Sequence, residues 1–288
     1  MKKIALILAG ILCLSFGMAW AEEAEEMTPE NIAKIEENRA LPEHQEGYIQ
    51  EADGCYYVVS WCKNEEADRN IYGEFCFPAD YEEGKTYPVV IYSHQNMGSH
   101  RSFKNPGWLE YMAVNGGYIG YCFDFCGGTK APNCLSDMAY ADSTDETQVS
   151  DLNAIIEFVK GQPFTDTEHI FLLGGSRGGR DTALCGASHS DDIAGLILLY
   201  AALMDDELMA QAEGYTGDVL LIHGLNDKSV PYETSLEAFL NIYSEAHSQL
   251  LLLSGKRSVH SFDGVQPDLR LIAQSAVLAF LNQHTQAT

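Results

Sequence analysis

Short apolar runs recur along the chain at 88–93, 118–123, 170–174, 195–200, 219–223 and 249–253, and amphipathic stretches at 145–160, 177–187, 232–246 and 268–282 lie between or after most of them. A run that is apolar at consecutive positions has no polar face to give to water, so as a strand it must be covered on both sides. The amphipathic stretches are the elements available to cover it. The alternation predicts an α/β protein with a mostly parallel sheet and helices on both faces. Ahead of it, aromatic and β-branched runs at 55–61 and 71–77 flank a charged turn, which predicts an N-terminal antiparallel hairpin. No repeat and no Pro/Ser-rich linker interrupts 47–288, so this region is expected to be one domain. Ligands of such sheets bind beyond the C-terminal ends of the strands, and chemistry is to be sought there.

The N-terminus reads differently. Lys2 and Lys3 precede an apolar stretch over 4–18 and then Ala19-Trp20-Ala21, the pattern of a signal peptide over 1–21 cut before Glu22. The stretch is shorter than the roughly 20 residues of a membrane span. A secreted or periplasmic protein with no membrane attachment after cleavage is therefore expected. Residues 22–46 hold nine Glu, and Thr28-Pro29 marks the start of a short helix in what reads as a solvated acidic lead-in. The full chain carries 17 Lys and Arg against 42 Asp and Glu, a net charge of −25, which repels phosphate backbones and excludes nucleic acid as a partner. Export permits disulfides, and seven cysteines follow the cleavage point. Cys126 and Cys134 flank a short loop and form the expected bridge, with Cys55 and Cys76 as a second pairing across adjacent strands. No Cys/His spacing suggests a metal.

The motif that carries chemistry is Gly174-Gly175-Ser176-Arg177-Gly178, a G-x-S-x-G between an apolar strand and an amphipathic helix. A sharp strand-to-helix turn leaves no room for side chains at the glycines and exposes the serine in a strained conformation. A serine hydroxyl needs a base, and the base needs an acid to orient it. Asp227 follows the strand at 219–223, and His260 follows the strand at 249–253. Their order, Ser176, Asp227, His260, is that of hydrolases built on this turn.

With Val89-Val90-Ile91-Tyr92-Ser93-His94, Phe123-Asp124-Phe125, His223-Gly224-Leu225-Asn226-Asp227 with Val230-Pro231, and His260-Ser261-Phe262, the region 47–288 resembles the α/β-hydrolases. Its motifs are similar to those of bacterial serine esterases of the dienelactone-hydrolase-like and cinnamoyl or feruloyl esterase-like groups. The resemblance implies a nucleophile elbow at Gly174 and Gly178, a triad of Ser176, Asp227 and His260, and an oxyanion hole from backbone N–H groups, with no cofactor. The first oxyanion donor would be Arg177. The second would be Asn96, or else Gln95, because the His-Gly common in the family is replaced here by His94-Gln95-Asn96-Met97-Gly98.

Other residues are read more plainly. The Arg177 side chain either holds a nearby carboxylate or reaches toward an anionic substrate group. His94 and His223 match framework positions and are read as structural, and His44, His100, His169, His189, His247 and His284 as surface or capping residues. Asp205, Asp206 and Glu207 are the alternatives to Asp227 as the acid, and Asp124 has a hydrogen-bonding role. About 18 residues separate the strands at 195–200 and 219–223, room for only a short lid. An open, shallow pocket is expected, suited to short-acyl or aromatic esters of small or carbohydrate-linked partners. Related readings are a prolyl-oligopeptidase-like peptidase and a catalytically silent binding protein.

Overall fold

A computed structural model describes residues 29–100, 107–127, 134–137, 143–204, 210–212, 214–243 and 247–285. Among the described residues nine strands form one sheet: β1 (Ile49–Ala52), β2 (Cys55–Asn64), β3 (Arg69–Pro78), β4 (Tyr87–Ser93), β5 (Ile119–Phe123), β6 (Thr165–Gly175), β7 (Gly195–Leu199), β8 (Asp218–Gly224) and β9 (Ser248–Leu253). Their order is β1-β2-β3-β5-β4-β6-β7-β8-β9. The first three strands run antiparallel to their neighbours, and from β5 onward every pairing is parallel.

Among the described residues the α-helices are α1 (Pro29–Arg39), α2 (Trp108–Gly116), α3 (Asp145–Lys160), α4 (Arg177–Ser188), α5 (Tyr232–Glu237), α6 (Phe262–Val265) and α7 (Pro267–Thr285). Strand alternation divides the core into two layers. Val89 and Ile91 join one cluster with Leu152, Ile155 and Ile156 of α3 and Ala183 of α4. Val90 and Tyr92 join the other with Trp108 and Met112 of α2 and Val277 and Phe280 of α7. β4, the strand between the two clusters, thus loses water on both faces, at about 1.5–3 kcal/mol for each large apolar side chain buried. This fixes the strand ends from which the site is built. Among the described residues no helix is long and apolar enough to cross a membrane.

Several expectations need correction or fall outside the described residues. The signal peptide over 1–21 and the acidic residues up to Thr28 are outside them, as are Asp205, Asp206 and Glu207 in the short lid. The Cys126–Cys134 bridge is absent: all seven described cysteines are buried free thiols. Cys126 Sγ points to the Asn70 carbonyl at 3.8 Å, whereas Cys134 Sγ turns to the carbonyls of Phe125 and Ser136. Cys55 and Cys76 are offset by two residues in the register of β2 and β3 and are also unbridged. The lead-in is not simply solvated, because Ile35 of α1 is buried and Arg39 donates to the Leu135 carbonyl at 2.7 Å. His44 and His100 are buried rather than superficial. Finally, β1 and α2 have no counterpart in the sequence reading.

Candidate active site

Ser176 sits between β6 and α4 with φ 54° and ψ −117°, a left-handed conformation that a non-glycine residue adopts only when its surroundings impose it. The imposition is steric. A methyl group at Gly178 would overlap the backbone carbonyls of Ser93 and His94, and one at Gly174 would overlap the Gly178 carbonyl. These contacts bring the start of α4 against the end of β4. The turn is also tied by backbone bonds from the Ser176 amide to the Leu199 carbonyl at 3.0 Å and from the Ala202 amide to the Ser176 carbonyl at 2.9 Å.

Asp227 and His260 arrive from two neighbouring strands whose following loops are stitched together. The Asn226 amide donates to the Ser258 carbonyl at 2.9 Å, and the Asn226 side chain donates to the Gly255 carbonyl at 2.6 Å. A side chain at Gly224 would collide with the Ser258 backbone, so the two loops can lie this close only with glycine there. The result is a continuous chain of hydrogen bonds. Ser176 Oγ lies 2.9 Å from His260 Nε2, and His260 Nδ1 lies 2.7 Å from Asp227 Oδ2.

The Asp227 carboxylate is the electrostatic anchor. Its Oδ1 accepts from the Ser229 and Val230 amides at 2.8 and 2.9 Å, and its Oδ2 faces His260 and, at 3.2 Å, His223 Nε2. Burial opposes the charged form, but the hydrogen bonds from His223, His260 and the Val230 amide outweigh it and hold the carboxyl well below the usual carboxylate range. Asp227 is therefore charged at neutral pH. Ser176 is itself buried, while His260 keeps a partly exposed side chain.

The loop after β4 provides the other wall. Burial pushes the His94 imidazole down to about 4, so it is neutral. Its Nε2 accepts the Phe125 amide at 3.1 Å, leaving Nδ1–H to donate to the Gln95 carbonyl at 2.8 Å. The Gly98 amide reaches the same carbonyl at 2.8 Å, and Met97 takes a positive φ of 59°. The turn carrying Gln95 and Asn96 is thus pinned beside the elbow. As the first residue of α4, Arg177 lies where a backbone N–H has no acceptor within its own helix. The Arg177 guanidinium is 3.7 Å from Asp145, at the start of α3.

Three residues of this region escaped the sequence reading. Tyr200, at the end of β7, packs edge-on against the His260 ring with centroids 5.0 Å apart. Its hydroxyl donates to Asp263 Oδ1 at 3.0 Å, and Trp108 Nε1–H donates to Asp263 Oδ2 at 2.8 Å. Asp263 is buried three residues after His260, so this carboxylate fastens the histidine loop to β7 and α2. Only its place in the short helix that follows His260 could have signalled it. Asp124 accepts the His100 amide and Nδ1–H and the Leu135 amide, in keeping with a hydrogen-bonding role.

Solved structures share this architecture. Est1E from Butyrivibrio proteoclasticus, solved with ferulic acid bound, superposes with a TM-score of 0.65 at 20% identity, covering 79% of this chain and 99% of that one. The fold is that of the α/β-hydrolases. A putative dienelactone hydrolase from Klebsiella pneumoniae matches with a TM-score of 0.58 at 17% identity, over 76% of this chain and 98% of that chain. A putative dipeptidyl aminopeptidase IV from Bacteroides ovatus matches with a TM-score of 0.64 at 18% identity, but over only 36% of its own length and 80% of this chain. No family model matches the sequence.

Proposed function

We propose that this α/β-hydrolase chain is an exported serine esterase that cleaves carboxylic esters with short or aromatic acyl groups. The observation that carries the reading is the unbroken relay from Ser176 Oγ through His260 to Asp227, at 2.9 and 2.7 Å, with the serine held on a strained elbow at the C-terminal edge of the sheet. His260 Nε2 takes the hydroxyl proton as Ser176 Oγ attacks the ester carbonyl, and Asp227 holds the imidazole in the Nδ1–H tautomer and balances its charge. The amides of Arg177 and of Asn96 or Gln95 stabilise the oxyanion, for which backbone donors suffice. His260 then protonates the departing alcohol. Water, deprotonated by the same imidazole, frees the acid from Ser176.

Exposed Met97, Met204 and Leu225 follow β4, β7 and β8 at the same end of the sheet as Ser176, and their apolar surface supports an acyl rather than a polyanionic substrate. Because Arg177 lies beside Asp145, its charge is already partly matched within the chain. A fluorophosphonate probe should label Ser176, and p-nitrophenyl esters should be hydrolysed with kcat/KM falling beyond roughly eight acyl carbons as the shallow pocket stops burying methylenes. Folded protein that takes no label would sink the esterase reading in favour of a binding role. The match to the dipeptidyl aminopeptidase supports a second reading, a serine peptidase, which a Pro-linked peptide amide in the same panel tests. Export is tested by N-terminal sequencing of the processed protein, expected to start at Glu22.

A further inference from the structure

His223 occupies the end of β8, is fully buried, and matches a framework position of the sequence. Its hydrogen bonds go further than framework requires. Nε2 lies 3.0 Å from the Val230 carbonyl and 3.2 Å from Asp227 Oδ2. A carbonyl oxygen can only accept, so Nε2 carries the proton and shares it between the two oxygens. On the opposite side, Nδ1 lies 2.7 Å from Ser235 Oγ, itself fully buried on α5. The hydrogen bond between Nδ1 and the Ser235 hydroxyl fixes the ring plane from that end as Val230 and Asp227 fix it from the other.

The same carboxylate oxygen that receives His260 Nδ1–H therefore receives a second imidazole N–H. Asp227 is held on Oδ1 by the two amides and on Oδ2 by two histidines, one partly exposed at the substrate side and one fully buried. We infer that His223 is a positioning residue for the reaction, aiming the Asp227 carboxylate at His260 through the Ser235–His223–Asp227 line. The inference rests on the esterase reading for its kinetic consequence, but not for its structural one. With the donor removed, Oδ2 is free to rotate about the remaining amide contacts, and the His260 ring loses its fixed target.

The test compares His223→Phe, which removes both ring nitrogens, with His223→Gln, whose amide N–H can stand in for Nε2–H, and with Ser235→Ala. Two readouts are taken: steady-state hydrolysis of p-nitrophenyl butyrate, and the downfield proton resonance of His260 Nδ1–H in the resting protein. The Phe variant should lose roughly 10- to 100-fold in kcat, the scale expected when a reacting group is misplaced by about an ångström, with KM unchanged within about two-fold. Its downfield resonance should shift or broaden away, and Gln should restore both. Full-rate turnover and an unshifted resonance in the Phe variant would overturn the inference. Should the Phe variant fail to fold, His223→Gln and Ser235→Ala decide. The Gln variant retaining the wild-type resonance while Ser235→Ala displaces it supports the clamp, and an undisturbed resonance in Ser235→Ala overturns it. If the wild type neither turns over esters nor takes the fluorophosphonate, the esterase reading falls alone, and the resonance still judges the clamp.

Discussion

The loop after β8 and the inner face of α4 each hold an aspartate taken out of water, and the two carboxyls meet opposite conditions. Asp227 collects donors from two backbone amides and two imidazoles, and its acidity is strengthened. Asp181 is fully buried, and neither of its oxygens has a hydrogen-bond partner among the described residues. Burial drives its carboxyl well above the usual range; Arg177 and Arg180 pull the other way, and Asp145 adds to the rise. Both guanidinium groups are already committed to Asp145, the Arg177 pair at 3.7 Å and the Arg180 pair in direct contact. Burial penalises both aspartates, so the difference lies in the donors. A buried carboxylate charge is kept at Asp227, where imidazole and amide N–H groups are turned toward it, and is disfavoured at Asp181, where among the described residues none is.

The strongest way to break this comparison is to show that the donor-rich side does no chemistry. Ser176→Ala and His260→Ala should each lower kcat by roughly 10⁶-fold, with the double variant little worse than either, since residues acting as a unit do not lose rate additively. Additive losses in a single-turnover assay would mean that the hydrogen-bonded relay is not the reacting unit. Next in size, Asp227→Asn should reduce kcat by about 10⁴-fold through the wrong His260 tautomer, while leaving the fold intact. An Asp227→Asn enzyme near wild-type rate, paired with a dead Asp205 or Glu207 variant, would move the acid to the other loop.

What could be read in advance follows from how local each signal is. Parallel strands buried on both faces leave continuous apolar runs, so β4 to β9 stood out, and the helix over Asp145–Lys160 matched to the residue. The strand β1, Ile-Gln-Glu-Ala with three exposed residues, has no pattern of its own; it exists because β2 offers it an edge. The helix α2 is short, and although Trp108, Leu109, Met112 and Ala113 share one buried face, exposed Val114 lies outside that face, so the polar contrast over so few residues is weak. At the site, Ser176, Asp227 and His260 each follow a strand, which is a sequence-visible address. Asp263 and Tyr200 support His260 across elements far apart in the chain, and such tertiary contacts leave no spacing to detect. The disulfide expectation failed for a related reason, because proximity along the chain did not decide where Cys126 and Cys134 point.

Acid should act on Asp227 through linkage. Its folded carboxyl titrates below its unfolded one, so the stability it contributes is present above the unfolded value near 3.9 and is lost as pH falls through the folded one. The stability difference between wild type and Asp227→Asn, from urea melts at a series of pH values, should therefore shrink steadily below about pH 4. A difference that stays level down to pH 2 would show that the donors around Asp227 do not favour its anion.

Asp181 should give the smaller, opposite curve. A carboxyl raised by burial keeps its proton in the folded chain while the unfolded chain releases it, so its contribution is greatest below the unfolded value and is lost as pH rises toward the folded one. Each pH unit across that window is worth about 1.4 kcal/mol, which bounds the effect at about 4 kcal/mol by pH 7. Asp181→Asn removes the titration while keeping size and polarity, and it should stabilise the protein by about 2 kcal/mol at pH 7, raising Tm by roughly 4–8 °C. Because the carboxyl is protonated in both states under acid, the gain should vanish near pH 3, and ester hydrolysis should stay close to wild type throughout. An Asn variant that is less stable than wild type at pH 7 would mean that Asp181 is ionised in the folded protein. In that case Arg177 and Arg180 would be holding its charge in spite of their contacts with Asp145, and the contrast with Asp227 would be one of partner type rather than of partner supply.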